Sequence, residues 1–268
     1  MAETPTPKIF HALFLLCGLV IAIAAYREMT REEVEPVEVL QRPDPIRHWP
    51  NLADADSVDV RKMQFFGLLK PLVDYENARL RQERAQLMAL YVDRDQLTEH
   101  QQQQLSQLAA RFKTPVPEVN TQWHRLLRRV DELPVALVLV QGANESAWGT
   151  SRFAVKGNNL FGQWCFKRGC GLVPRARSEA ARHEVKRFST VLASVQSYMN
   201  NLNTHRAYFQ LRQRRAQLRA AGKTVSALAL ASALQNYSQR GQAYVRELKA
   251  MIRINRPLIE QLAPAETP

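Results

Sequence analysis

Gln141-Gly142-Ala143-Asn144-Glu145-Ser146-Ala147-Trp148-Gly149-Thr150-Ser151-Arg152-Phe153-Ala154, followed after Val155-Lys156 by Gly157-Asn158-Asn159-Leu160-Phe161-Gly162, decides how this chain is read. Upstream of it, Pro134 suits the first turn of a helix, because its ring pre-sets φ and its missing N–H costs nothing there. Val135, Leu137, Val138, Leu139 and Val140 then follow almost without a polar break, the pattern of a buried helix rather than a surface one. The stretch therefore carries one carboxylate, Glu145, out of an apolar helix into a loop of glycine, asparagine and aromatic residues.

That position has a chemical consequence. In the last turn of a helix the macrodipole is negative, and apolar walls disfavour charge, so both effects raise a carboxyl pKa. A raised pKa suits a general acid that must protonate a glycosidic oxygen. Gly142, Gly149, Gly157 and Gly162 bring tight turns and close backbone approach to the same region. Trp148 and Phe161 are candidate walls of a carbohydrate cleft, and Asn158 and Asn159 are candidates to bond sugar hydroxyls or acetamido groups. The same residue types also serve cores and turns.

Glu-Ser-Ala-Trp-Gly-Thr-Ser-Arg-Phe-Ala with Asn-Asn-Leu-Phe-Gly after a short spacer resembles the catalytic motif of bacterial endo-β-N-acetylglucosaminidases of glycoside hydrolase family seventy-three, and within them the Bax-like proteins. The similarity runs through Trp164-Cys165, Arg187-Phe188, Ser197-Tyr198 and 201–205 to Tyr237-Ser238 and Gln242-Ala243-Tyr244, covering about residues 120–255. It implies a lysozyme-like α domain with a small β-hairpin lobe that cuts peptidoglycan after N-acetylglucosamine. It gives Glu145 the acid role, puts Tyr237 near the acetamido group and adds Tyr244 to the substrate-binding residues. Members often carry a second glutamate on the hairpin lobe. Here Glu184 and Glu179 both lie in the matching region; Glu184 is preferred, because it alternates with Val185 and precedes Phe188. The substrate's own acetamido group is the third possibility.

Cys165 and Cys170 bracket Phe-Lys-Arg-Gly, a loop able to turn a hairpin, and a disulfide there, as against two free thiols, would persist outside the cytosol. His183 gives the pair no metal-ligand spacing, so no metal site and no cofactor are expected. Residues 9–25 are almost wholly apolar between Lys8 and Arg27, enough to cross a bilayer or to act as a cleavable signal. Either outcome exports the rest. The expected location is the inner membrane, single-pass, with the catalytic part in the periplasm, or the periplasm itself after cleavage.

The organisation follows from these signals. A short tail and membrane helix (1–26) lead into an acidic, proline-rich extended tether (27–60) and a helical segment (61–113) in which Pro71 is expected near the start of a second helix and Asn77, Arg79 and Arg84 give a polar face. Thr114-Pro115-Val116-Pro117 marks a linker (114–119), followed by the catalytic domain (120–257) and a tail (258–268). Within the domain, 163–189 is the place for strands, while 191–202, 208–219, 225–234 and 243–254 have helical spacing, so the fold is expected to be mainly α.

Charge offers a rival. Lys plus Arg total 37 against 25 acids, a net of +12, and Arg212, Arg214, Arg215 and Arg219 cluster on one expected helix. Such a patch can bind phosphates, yet an exported protein meets anionic lipid and wall polymers, and no nucleic-acid motif is present. The partners expected are peptidoglycan strands and, through the N-terminal helix, the membrane, with no nucleic acid. Two alternatives stay beside the hydrolase: a lytic transglycosylase and a catalytically silent wall-binding scaffold.

Overall fold

The computed structural model describes residues 40–175, 182–235, 237 and 240–262. The expected membrane helix, the first part of the tether and Glu179 lie outside the described residues, among which no helix is long and apolar enough to cross a membrane. Residues from Leu40 onward form one compact unit.

Its elements are a short 3-10 turn (Leu52–Asp54) and then α1 (Val58–Val92), α2 (Glu99–Arg111), α3 (Asn120–Arg129), α4 (Val135–Ser146) and α5 (Arg152–Gly157). Three short strands follow, β1 (Trp164–Cys165), β2 (Gly171–Leu172) and β3 (Glu184–Lys186). Helices α6 (Val191–Thr204), α7 (Phe209–Ala220), α8 (Ala227–Ala231) and α9 (Gln242–Gln261) complete the chain. The protein is mainly α with one small sheet, which fits the lysozyme-like domain expected.

Helix α4 is the axis of the core. Pro134 stands at its N-cap, and Leu137, Val138, Leu139, Val140, Gln141 and Ala143 are all fully buried, with α1, α8 and α9 packed around them. An all-round apolar helix can be stable only when enclosed in this way. The helix ends at Ala147, which adopts a left-handed conformation.

Two expectations are corrected here, at Pro71 and in the tether. Pro71 does not begin a second helix but sits inside the 35-residue α1. Phe65, Phe66, Leu69, Leu72 and Val73 on both sides of it enter the same core. At about 1.5–3 kcal/mol for each buried side chain, their packing outweighs the roughly 3 kcal/mol that an internal proline costs.

The polar face expected of this helix is present and turns inward. Asn77 is buried, donating to the Leu133 carbonyl at 2.8 Å and accepting from the Leu133 N–H at 3.0 Å, while Arg84 donates to the carbonyls of Leu127 and Val130. Glu76 is buried between Arg79 and Arg111. These groups dock α1 onto the turn that feeds α4. Helical periodicity alone could not tell an inward polar face from an outward one.

The tether, finally, is docked from Ile46 onward. The Ile46 carbonyl accepts from the Val191 N–H, Asn158 brackets Arg47 and Trp49, and the Trp49 indole is 2 % exposed against Phe65.

The sheet is three-stranded rather than a single hairpin. β3 lies in the middle and pairs antiparallel with both neighbours, Trp164 opposite Val185 and Cys165 opposite Glu184 on one side, Gly171 opposite Lys186 and Leu172 opposite Val185 on the other. A Cβ at Gly171 would lie 2.0 Å from the Val185 carbonyl oxygen, so only glycine allows this approach.

Candidate active site

Glu145 sits half-buried in the last turn of α4. Ser146, Ala147, Trp148 and Gly149 then turn the chain sharply: Ala147, Trp148 and Gly149 have φ of 50°, 58° and 78° in succession. Left-handed backbone at two consecutive non-glycine residues is strained and persists only where the surroundings enforce it. Here Ser146 Oγ donates to the Gly142 carbonyl and accepts from the Gly149 N–H at 2.8 Å, and the Trp49 ring closes over Gly149. The strained turn fixes the direction in which Glu145 leaves the helix.

Four tyrosines surround the carboxyl. Tyr198 Oη donates to Gln141 Oε1, Gln141 Nε2 donates to Tyr244 Oη at 2.9 Å, and the Tyr244 hydroxyl hydrogen-bonds the Glu145 carboxyl. Tyr237 stacks on Tyr244 with ring centres 5.4 Å apart and donates from its hydroxyl to the Phe161 carbonyl at 3.2 Å, and Tyr208 leans on Tyr237. Burial raises the Glu145 pKa above its ordinary value; hydrogen bonds from Tyr244 and Asn144 pull it back, the Glu247 carboxylate pushes it up again, and Arg240 pulls it down. Burial likewise raises the phenols of Tyr198, Tyr208, Tyr237 and Tyr244, assisted in each case by the Glu145 charge, so these hydroxyls stay protonated. Burial thus favours the neutral form of the Glu145 carboxyl, which stands at the end of a chain of hydrogen bonds through Tyr244, Gln141 and Tyr198.

The other expected site residues fare differently. Glu184 is 5 % exposed, and its two oxygens accept from the Gly169 and Gly171 N–H groups at 2.9 and 2.8 Å. It anchors the loop closed by the disulfide between Cys165 and Cys170, so both oxygens of this expected second acid are engaged by backbone amides of that loop. With Cys165, Cys170 and Glu184 within 4.8 Å of one another, ligand types for a metal do converge, but the two sulfurs are joined to each other.

Asn158 and Asn159 are also engaged within the fold. Asn158 accepts from the Trp49 N–H and donates to the Arg47 and Phe188 carbonyls, while Asn159 donates to Gln163 and Lys186 carbonyls and accepts from the Phe161 and Gln163 N–H groups. Both amides are spent on joining α5 to the sheet and to the N-terminal segment. Trp148 packs edge-on against Phe65 and Phe66 with the Lys62 amine 5.8 Å over its ring. Phe161 is buried, stacked on Tyr198 at 4.0 Å. Phe161 therefore offers no free face to a sugar, while Trp148 is partly exposed. Tyr244, expected to bind substrate, is buried and bonded to the acid itself.

Gln141 was missed although it lies four residues before Glu145, one turn away on the same helical face, a spacing that could have found it. The exposed ring of Trp164 was missed as well. The basic cluster is split by the fold: Arg212 donates to the Leu202 and His205 carbonyls, and Arg215 is fully buried, its pKa lowered by desolvation to about 10 while Asp131 opposes the shift. Arg219 is bound to Asp131. The helix therefore presents no row of free guanidinium groups.

Known proteins resemble this chain over most of its length. Residues 121–256 match the glucosaminidase family, described as mannosyl-glycoprotein endo-beta-N-acetylglucosaminidase. The chain is 37 % identical over 213 residues to Protein bax of Escherichia coli (strain K12), covering 78 % of this chain and 75 % of that protein. No solved structure matches at a significant level.

Proposed function

Because the chain belongs to the glucosaminidase family, as a Bax-like member, we propose that it hydrolyses the β-glycosidic bond after N-acetylglucosamine in peptidoglycan strands. The observation that carries this reading is the Glu145 carboxyl at the end of α4, its pKa raised by burial and its oxygens reached by the Tyr244 hydroxyl. Glu145 gives its proton to the glycosidic oxygen as the bond to the anomeric carbon breaks.

With Glu184 engaged by Gly169 and Gly171, the electron pair that attacks the anomeric carbon comes from the carbonyl oxygen of the substrate's own acetamido group. Tyr237 has given its hydroxyl hydrogen to Phe161, so its oxygen is left to accept the acetamido N–H and turn that carbonyl toward the carbon. Water then opens the cyclic intermediate, passing its proton to Glu145 and restoring the acid. The strand is released with a reducing N-acetylglucosamine end.

The disulfide supports an oxidising compartment. The reading includes export by the apolar segment at 9–25, retained as a membrane anchor or removed, with the catalytic part in the periplasm. A net charge of +12 draws such a protein to anionic wall polymer.

The test is mass spectrometry of purified sacculi digested with wild type and with Glu145→Gln. Reducing N-acetylglucosamine ends that vanish in the variant support the proposal. Anhydro-muramic ends would assign a lytic transglycosylase instead, and sacculi bound but uncut by both proteins would assign a scaffold.

A further inference from the structure

The aromatic residues nearest the acid are buried, yet the small sheet holds two rings out in solvent. Trp164 is 58 % exposed and Phe166 is 75 % exposed. Trp164 is not loosely splayed: its indole lies flat on the His183 imidazole, ring centres 3.9 Å apart and planes 15° from parallel. Pairing of Trp164 with Val185 puts His183 at a diagonal position on the same face of the sheet, within reach of a ring. One indole face is therefore supported, and the exposure belongs to the other.

Everything around this ring is braced. Cys165, the next residue, is in the disulfide with Cys170, and Glu184, next to His183, holds the Gly169 and Gly171 N–H groups. Gln163, the preceding residue, donates to the Ser194 carbonyl and accepts from Ser197 Oγ at 2.7 Å, clamping the strand to α6. A flat, rigid, half-open indole is costly to leave in water and serves as a surface for another flat apolar face. Lys167 and Arg168 stand exposed beside it on the disulfide loop. The platform is also close to the acid's surroundings, since Phe161, whose carbonyl holds Tyr237, precedes Trp164 by three residues, at most about 10 Å of chain.

We propose that Trp164, backed by His183, is a sugar-stacking subsite for an N-acetylhexosamine ring of the glycan strand, with Lys167 and Arg168 meeting carboxylates carried on that strand. This rests on the peptidoglycan reading above but assigns a residue outside the tyrosine cluster. C–H groups on the apolar face of a pyranose lie on the open indole face, and the two cations supply the charge complement that an acidic glycan needs. Ring stacking of this kind contributes about tenfold in affinity.

The experiment uses the full chain with Glu145→Gln, so that substrate is bound without being cut. Retention on purified sacculi and on vesicles of phosphatidylglycerol is measured for Glu145→Gln alone and combined with Trp164→Ala or Trp164→Phe. The expected result is an approximately tenfold loss of sacculus binding with Trp164→Ala, recovery with Trp164→Phe, and unchanged vesicle binding. Equal sacculus binding by all three proteins overturns the proposal. Loss confined to vesicles also overturns it and makes the patch a lipid-surface contact. Digestion by the protein with Glu145 intact is read separately. Trp164-dependent binding without any Glu145-dependent cutting sinks the enzyme reading and leaves the subsite, while cutting with Trp164-independent binding does the reverse.

Discussion

Gln141 Nε2 donates to Tyr244 Oη at 2.9 Å, one helical turn before the carboxyl that the same Tyr244 hydroxyl reaches. Because the amide of Gln141 also accepts from Tyr198, the tyrosine is oriented with its proton toward Glu145 rather than away from it. Tyr244→Phe removes a bond that lowers the Glu145 pKa and leaves the burial that raises it. The alkaline limb of kcat/KM therefore moves to higher pH, while kcat falls by roughly tenfold as the carboxyl loses its fixed direction. A pH–rate profile of the variant with an unmoved limb would remove Tyr244 from the acid's surroundings.

A second pair of charges acts on the same group with opposite signs. Behind burial and the two hydrogen bonds, the Glu247 carboxylate raises the Glu145 pKa and Arg240 lowers it, and these two are ion-paired at 2.7 Å. Glu247→Gln should shift the alkaline limb down and Arg240→Gln should shift it up. Matching shifts of the same sign would refute this electrostatic arrangement.

Burial of Glu145 also has a cost in stability, and its sign can be worked out. The folded pKa is raised above the ordinary 4.5, so the native state binds the proton more tightly than the unfolded one. Stability tied to this group is fully present below the unfolded pKa and is lost as pH rises through the folded one. Glu145→Gln, which carries no charge at any pH, is expected to melt at a higher temperature than wild type at pH 7–8, with the difference shrinking toward pH 4. Melting curves across that range provide the check.

Glu184 illustrates what the sequence could and could not convey. Its place beside Val185 and Phe188 marked it as a lobe residue, and the lobe is there. That both oxygens would be taken by Gly169 and Gly171 depended on a loop geometry set by the disulfide and by the close approach of Gly171 to β3, neither of which has a periodicity to read. The same holds for Asn158 and Asn159, whose partners Arg47 and Lys186 come from distant chain. By contrast, the buried helix α4, the acid at its end and the helices from 191 onward follow from apolar spacing that burial enforces directly. Gln141 and Pro71 lay between these cases, because long-range packing decided which local rule applied.

Glu184→Gln keeps one acceptor oxygen and should retain activity within about tenfold, whereas loss of a catalytic carboxylate costs roughly 10²- to 10⁴-fold. Glu184→Ala leaves two partly buried amides unpaired, at about 1–3 kcal/mol each, and should lower the melting temperature and speed hydrogen exchange at Gly169 and Gly171. Activity of Glu184→Gln as low as that of Glu145→Gln would return Glu184 to the catalytic pair.

The strained turn after Glu145 yields the sharpest structural prediction. Gly149 has φ of 78°, and a Cβ added there would lie 2.4 Å from Trp49 Nε1 and 2.9 Å from the adjoining ring carbon. Gly149→Ala thus meets two obstacles, a backbone that L side chains rarely adopt and a buried indole with Phe65 behind it. The backbone part remains whatever Trp49 becomes; the steric part disappears with the indole. Trp49→Ala alone opens a cavity and costs about 3–5 kcal/mol. In that background Gly149→Ala should cost less than in wild type, giving a coupling of about 0.5–3 kcal/mol in a double-mutant cycle of urea unfolding. Strict additivity would mean that the N-terminal segment does not brace the turn. Coupling accompanied by a fall in Glu145-dependent activity in each single variant would show that the indole at position 49, nearly a hundred residues upstream, helps to aim the acid.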